Sequence, residues 1–260
     1  MQDIAVVILA AGKGTRLNST VVNKVTLPLA GRPMISYIVD TLRKIGLINI
    51  FVVIGFARRS VTKTLRTKVS YVIQGRRSGT ASAVRVAMEK IKNFKTALVL
   101  QCDDSAFYTP KLIRALIAQH QKTHPVLTML TIVKQNPSGL GRILRKGGKV
   151  TAIVEEKNAT ESQRQIKEIN AACYVFSLKF LKKYLPKVKK NPIKREYYLT
   201  DLIELAVCNE LPISTLQAPE ELFMGVNTQE ELIRADTLMT EKLRGGKKIK
   251  SNPNNPKKEN

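Results

Sequence analysis

The apolar run Val6–Ala10 ends in a loop holding Gly12, Gly14, Thr15 and Arg16, with Lys24 a short way downstream. Glycine takes positive φ cheaply and lets backbone N–H groups close on an anion. An Arg and a Lys just beyond such a loop can neutralise several phosphate oxygens. Strand, glycine loop and cations together predict a nucleoside-triphosphate cradle at the carboxyl end of a strand. Two other phosphate loops do not fit. No G-x-x-x-x-G-K-[ST] string is present, and Leu17 stands where G-x-G-x-x-G needs its third glycine. A βα turn without a ligand is what these residues alone leave open.

A cradle of this kind must sit on a sheet, and the apolar periodicity supplies one. Ile4–Ala10 reads as a buried strand, Pro33–Lys44 as a helix with proline in its first turn and Gly46 as its stop. Ile50–Ile54, Val69–Ile73 and Ala97–Gln101 read as strands, separated by helices over Val61–Arg66 and Thr80–Lys92, with another helix opening at Thr109–Pro110. This βαβα order predicts an α/β fold, a Rossmann-like, mainly parallel sheet with helices on both faces. After Val126–Val133 the pattern turns antiparallel. Lys146-Gly147-Gly148-Lys149 joins Arg142–Leu144 to Val150–Val154 as a hairpin, and Ala171–Phe176 is a further strand. Helices follow over Leu199–Asn209 and Thr228–Lys242, the latter with a capping box from Thr228 to Glu231. The expected division is a domain over 1–243, with a nucleotide-binding part to about 125 and a small antiparallel lobe over about 126–243, then a disordered basic tail over 244–260.

The net charge of +24 would attract nucleotides, sugar phosphates or nucleic acid without discrimination. With aromatics at 5% and no Trp there is no stacking platform for single strands, so any nucleic-acid binding is expected to be non-specific. No run approaches the roughly 18 apolar residues of a spanning helix, and no membrane role is expected. Cys102, Cys173 and Cys208 are odd in number and far apart, which points to reduced thiols in a cytoplasmic protein. His120 and His124 have helical i, i+4 spacing but no carboxylate partner, and read as surface residues.

The strings LAAGKGTRL, AGRPM, VIQGRRSGTASAV, PSGLGRI, VEEKNAT with QRQIKEIN, REYYLTD and GVNT follow one another in order over roughly residues 4 to 242. In that order they resemble the sugar-1-phosphate nucleotidyltransferases, and among them the uridyltransferase domain of the bacterial bifunctional N-acetylglucosamine-1-phosphate uridyltransferase/glucosamine-1-phosphate acetyltransferases. The resemblance implies the nucleotide-diphospho-sugar transferase fold. It implies condensation of UTP with N-acetylglucosamine 1-phosphate to UDP-N-acetylglucosamine and pyrophosphate, by in-line attack on the α-phosphate. Arg16 and Lys24 take catalytic positions in it, Arg16 on the β- and γ-phosphates and Lys24 on the α-phosphate. Leu9, Ala10, Ala11, Gly12, Gly14, Thr15, Gln74, Gly79, Thr80, Gln101 and Cys102 fall at nucleotide-binding positions, Gln74 on the uracil edge. Gly141, Glu155, Asn170, Tyr198 and Thr200 fall at sugar-binding positions, and Asp103 and Asn227 at the Mg²⁺ ligands. One carboxylate and one amide oxygen suit a hard cation completed by phosphate and water.

The chain departs from the family in places. Asn23 replaces the usual proline before the lysine, in a loop longer by one residue, so a displaced Lys24 is expected. Cys102 replaces a glycine, adding a side chain expected to face the nucleotide and sugar. Ala172 ends the string where N-T-G is usual. These changes leave open another sugar 1-phosphate such as glucose 1-phosphate, transfer from dTTP, or a catalytically impaired nucleotide-sugar-binding protein. The sequence past Leu243 carries no hexapeptide repeats, so no acetyl transfer and no β-helix trimer are expected; the oligomeric state is otherwise open.

Overall fold

The computed structural model describes residues 2–17, 21–76 and 78–245. In chain order the elements are β1 (Ile4–Ala10), the short pair β2 (Pro28–Leu29) and β3 (Arg32–Pro33), α1 (Met34–Lys44), β4 (Ile50–Ile54), α2 (Arg58–Leu65), β5 (Ser70–Ile73), α3 (Thr80–Ile91), β6 (Thr96–Gln101), α4 (Pro110–Thr123), β7 (Leu127–Val133), β8 (Arg142–Lys146), β9 (Lys149–Val154), α5 (Glu161–Arg164), β10 (Glu168–Ser177), α6 (Leu178–Tyr184), α7 (Asp201–Cys208), β11 (Ile213–Ala218) and α8 (Gln229–Gly245).

Every residue of β1 is buried, because this strand lies inside the sheet with helices on both faces. Its even-numbered side chains, from Ile4 to Ala10, join α1 and α4 in one core, while Ala5, Val7 and Leu9 join α3, α6 and α7 in another. The strands run in the order β11-β7-β10-β6-β1-β4-β5. β1 pairs in parallel with both β4 and β6, so the chain leaves β1 to one side and later returns on the other. Ligands of open α/β sheets bind in the crevice that this reversal opens at the carboxyl ends. β10 alone on that path runs against its neighbours, pairing antiparallel with β6 and β7.

The antiparallel lobe grows from β10. Its second half pairs with β6, but beyond the end of β6 its first half meets β8 instead, at Ile169 and Arg142. The register against β7 shifts between Asn170 and Tyr174, where Ala172 has a φ of +49°. A left-handed residue at such a register shift bends the strand, and the β8–β9 hairpin joins β10 just before it.

The mainly parallel sheet with an antiparallel lobe therefore matches the α/β reading. Several details differ from it. α2 begins three residues before Val61, β10 extends past Ala171–Phe176 at both ends, and α6 and β11 were not foreseen. β11 carries Ser and Thr at half-buried positions and Gln at an exposed one, so it shows no continuous apolar run. α8 runs through Gly245, past the expected start of the tail at 244, and residues 246–260 lie outside the described residues. His120 corrects another expectation. It is 6% exposed on the inner face of α4 with Leu116 and Ile117, its Nδ1 3.0 Å from the Thr128 hydroxyl. His124, at the exposed end of α4, is the surface residue foreseen.

Candidate functional site

A cleft of about 210 Å³ opens at the carboxyl ends of β1 and β6. Leu9, Ala10, Ala11, Gly12, Lys24, Gln74, Gly79, Thr80, Gln101, Asp103 and Tyr198 line it, all residues picked out by the sequence. Asn23, Val25, Ala83 and Glu196 complete the lining.

β1 delivers the loop at its base. A Cβ on Gly12 would meet no protein atom within 4 Å, so the space over this backbone is open for a ligand to approach closely. Gly14 is a glycine for a different reason. Its φ is +61°, and a Cβ there would sit 3.0 Å from the Lys24 stem. The bare backbone of Gly14 thus lets Lys24 lie across the loop.

Asn23 settles where Lys24 goes. It is fully buried, and its Nδ2 donates to the carbonyls of Ala10 (2.9 Å) and Phe56 (2.8 Å). Its Oδ1 accepts from the N–H of Val25 at 3.2 Å, capping the single turn Lys24–Thr26, and its own N–H reaches the Ser60 hydroxyl at 3.0 Å. Its backbone, at φ −71° and ψ 137°, is one that proline also adopts. Asn23 therefore holds the loop in a proline-compatible shape by side-chain bonds, and the displacement of Lys24 expected from its replacement of proline does not follow.

The Lys24 ammonium forms an ion pair with the Asp103 carboxylate and donates to Asn227 Oδ1 at 3.1 Å. The Lys24 and Asp103 side chains are only 13% and 11% exposed, so each charge depends on the other for compensation. Asn227 is held from behind. Its N–H donates to Glu231 at 2.6 Å, Glu231 closes the capping box with Thr228, and the Val226 N–H donates to the Asp103 carbonyl at 3.2 Å. Asp103 and Asn227 thus bring two hard oxygens to one cationic centre, a donor set that fits Mg²⁺. Among the described residues there is no cluster of three His, Cys, Asp or Glu side chains for a metal, so water and phosphate would complete the shell. The Asp104 carboxylate lies beside Gly225, 3.0 Å from where a Cβ would sit there, with the Asn227 amide nitrogen 3.4 Å from the same point. Burial and the Asp103 charge push the Asp104 carboxyl well above the usual range.

Cys102 overturns an expectation. Its side chain is fully buried in the core and is not part of the cleft, and burial pushes its thiol well up. What it presents to the site is backbone, its N–H donating to the Leu9 carbonyl at 3.3 Å.

The far wall of the cleft is the segment 196–199 laid across the start of α3. The Tyr197 N–H donates to the Ser78 carbonyl (2.7 Å), the Tyr197 carbonyl accepts from Ala81 (2.9 Å), and the Leu199 N–H reaches the Thr80 hydroxyl (2.9 Å). Gly79, with φ +99°, leaves room for this crossing. A Cβ there would lie 2.4 Å from the Tyr197 carbonyl oxygen. Gln74 is 5% exposed and donates to the Gly79 carbonyl at 3.2 Å, which keeps its amide at the cleft edge. Sequence reading passed over Glu196, although it precedes the two tyrosines of REYYLTD; a carboxylate at a loop end carries no distinguishing pattern.

Gly141, Glu155 and Asn170, far apart in sequence, meet in the lobe. A Cβ on Gly141 would lie 3.4 Å from Glu155 Oε1, and the Asn170 N–H donates to the Gly141 carbonyl at 3.0 Å. Tyr198 links this group to the cleft, its phenol held protonated above its ordinary range by desolvation and by the Glu196 and Glu155 carboxylates. Thr200 stands at the start of α7 and the exposed Arg16 on the turn Thr15–Leu17; neither lines the cleft. The side chain of Thr15 lies outside the described residues.

A crevice at a sheet reversal, with a glycine loop and a caged lysine, defines a nucleotidyl-transfer type of α/β protein. Comparison with known proteins agrees. Residues 6–164 match the MobA-like NTP transferase domain, and the chain belongs to that family. The bifunctional protein GlmU of Geobacillus thermodenitrificans is 36% identical over 239 residues, covering 91% of this chain and 52% of that protein. GlmU of Geotalea uraniireducens is 37% identical over 247 residues, covering 92% and 53%. The chain thus spans about half the length of the curated relatives it matches. A solved Bacillus anthracis protein, provisionally assigned as a glucose-1-phosphate thymidylyltransferase, shares the fold with a TM-score of 0.77 at 20% identity, over 92% of this chain and 96% of its own. The resemblance to sugar-1-phosphate nucleotidyltransferases stated from short motifs is borne out. No helix among the described residues is long and apolar enough to cross a membrane.

Proposed function

We propose that this chain condenses UTP with N-acetylglucosamine 1-phosphate, forming UDP-N-acetylglucosamine and releasing pyrophosphate. The observation that carries the reading is the Lys24–Asp103–Asn227 constellation at the mouth of the glycine loop. Transfer at phosphorus asks a protein mainly for positioning and charge compensation. The Leu9–Gly12 backbone lies along the nucleotide, Gln74 offers its amide to the base edge, and Gly79 and Thr80 complete that end. Lys24 bears on the α-phosphate, whose charge rises as the sugar phosphate oxygen attacks, and Arg16 meets the outer phosphates that leave as pyrophosphate.

Asp103 and Asn227 would hold Mg²⁺, which when bound supplies positive charge to the phosphate oxygens. The Lys24 ammonium lies against the same two oxygens, beside the place where the metal and the phosphates would meet. Gly141, Glu155 and Asn170 receive the sugar, with Tyr198 at the junction and Thr200 behind it.

A second reading, transfer to a hexose 1-phosphate without an acetamido group, rests on Asn170. Its amide is already engaged, with the Tyr174 hydroxyl 2.7 Å from Nδ2 and the Ala172 N–H donating to Oδ1 at 3.1 Å. Pyrophosphate release over a panel of UTP and dTTP against acetamido and plain hexose 1-phosphates separates the two. The first reading expects the highest kcat/KM for UTP with N-acetylglucosamine 1-phosphate, and a preference for the plain hexose overturns it. Lys24→Ala and Asp103→Ala should each lose about 10²- to 10³-fold in kcat. Full activity in both would remove the assigned roles.

A further inference from the structure

We propose that Arg85 is a positioning residue that holds the 196–198 wall of the cleft in place. It lies on α3 outside the cleft lining, and the family motifs do not single it out. Its Nη2 donates to the Leu185 and Val188 carbonyls at 2.9 and 2.8 Å, and its Nε to Leu185 at 3.3 Å. Its guanidinium carbon lies 4.4 Å from the centre of the Tyr197 ring. One planar group thus ties the end of α6 to the segment entering the cleft, a geometry that a lysine ammonium cannot reproduce.

Successive side chains along an extended segment point opposite ways. Glu196 and Tyr198 line the cleft, while Tyr197 between them faces Arg85. The Tyr197 backbone is fastened to Ser78 and Ala81, and Arg85 fastens its ring. Between these anchors the chain turns on itself, with the Asn191 N–H donating to the Glu196 carbonyl at 2.8 Å and Arg195 at φ +56°. The Tyr197 ring also packs against the core shared by α3, α6 and α7, and Arg85 is the charged group stacked over it, so we assign to Arg85 the ring's orientation and, with it, the placing of Glu196 and Tyr198.

The proposal rests on the cleft being the transfer site, and the test uses two readouts so that the two ideas fail separately. Arg85→Met should raise KM for the sugar 1-phosphate about tenfold while kcat changes less than about threefold, the pattern of lost uniform binding. Tyr197→Leu should do the same, Tyr197→Phe should behave as the parent, and the double variant Arg85→Met/Tyr197→Leu should be no worse than either single one. In the ligand-free protein, the Tyr197 amide should exchange about tenfold faster in Arg85→Met, with the amides of β1 and β6 unchanged. Unaltered KM and exchange overturn the proposal, as does faster exchange throughout the sheet with kcat falling for every substrate. If the parent shows no transfer, the functional reading fails, and the exchange at Tyr197 still decides the role of Arg85.

Discussion

Replacing Gly79 by alanine tests whether the crossing of 196–199 over α3 builds the cleft. The perturbation is one methyl, but it lands 2.4 Å from the Tyr197 carbonyl oxygen and 2.7 Å from its nitrogen. Both are backbone atoms, so no side chain can rotate away. The backbone of Gly79 is at φ 99° and ψ 175°, a region open essentially to glycine, and an alanine held there costs about 1–3 kcal/mol. To relieve the clash, segment 196–199 must lift and give up its bonds to Ser78, Ala81 and Thr80. Each such bond contributes about 1 kcal/mol net, so together with the strain the loss totals about 4–6 kcal/mol if the segment detaches. That is a large share of the 5–15 kcal/mol typical of folded domains, roughly. Urea unfolding measures the loss, and hydrogen exchange at the amides of Ala81, Tyr197 and Leu199 shows whether it is local. Gly141→Ala is the control, since its Cβ would meet only side chains, Ile153 at 3.1 Å and Glu155 Oε1 at 3.4 Å, and no backbone. A Gly79→Ala protein with parental stability and parental protection at those three amides would refute the reasoning.

Other positions separate folding from function. Gly12→Ala should leave stability within about 0.5 kcal/mol, since no protein atom lies within 4 Å of its Cβ, yet raise KM for the nucleotide about tenfold. Unchanged KM would mean that no ligand backs onto this loop. Asn23→Ala strands the buried carbonyl of Ala10, removes the bond to the part-buried Phe56 carbonyl and the cap on Val25, so unfolding should show a loss of about 2–4 kcal/mol. His120, buried neutral with its pKa held down to about 4 by desolvation, binds fewer protons folded than unfolded. Its contribution to stability therefore rises with pH from about 4 to its ordinary value near 6.5 and is flat above. The stability difference between the parent and His120→Gln, followed by urea unfolding over that range, should show this slope; a flat difference would refute it.

Much of the site was readable from composition and spacing because it is local. β1, the glycine loop and Lys24 lie within one stretch of chain, and strand-to-loop transitions of that kind have a signature in residue type. The βαβ order likewise follows from apolar periodicity, since the central strands β1 and β6 are buried on both faces. Asn23 and Cys102 misled the reading for a shared reason. A substitution reads as a disturbance until the direction of its side chain is known, and one side chain caps the loop from within while the other points into the core. β11 was hidden because an edge strand needs no apolar run, and His120 because a buried imidazole looks in sequence like an exposed one.

The sequence by itself determined the parallel sheet, the glycine cradle and the charged residues that nucleotidyl transfer uses, because propensity and burial periodicity act over a few residues. Only the tertiary structure decided that Lys24 meets Asp103 and Asn227, that Gly141 meets Glu155 and Asn170, and that Gly79 must be a glycine. Those pairings join residues up to 203 positions apart. They arise from the order of the strands and the left-handed bend at Ala172, which no local pattern records.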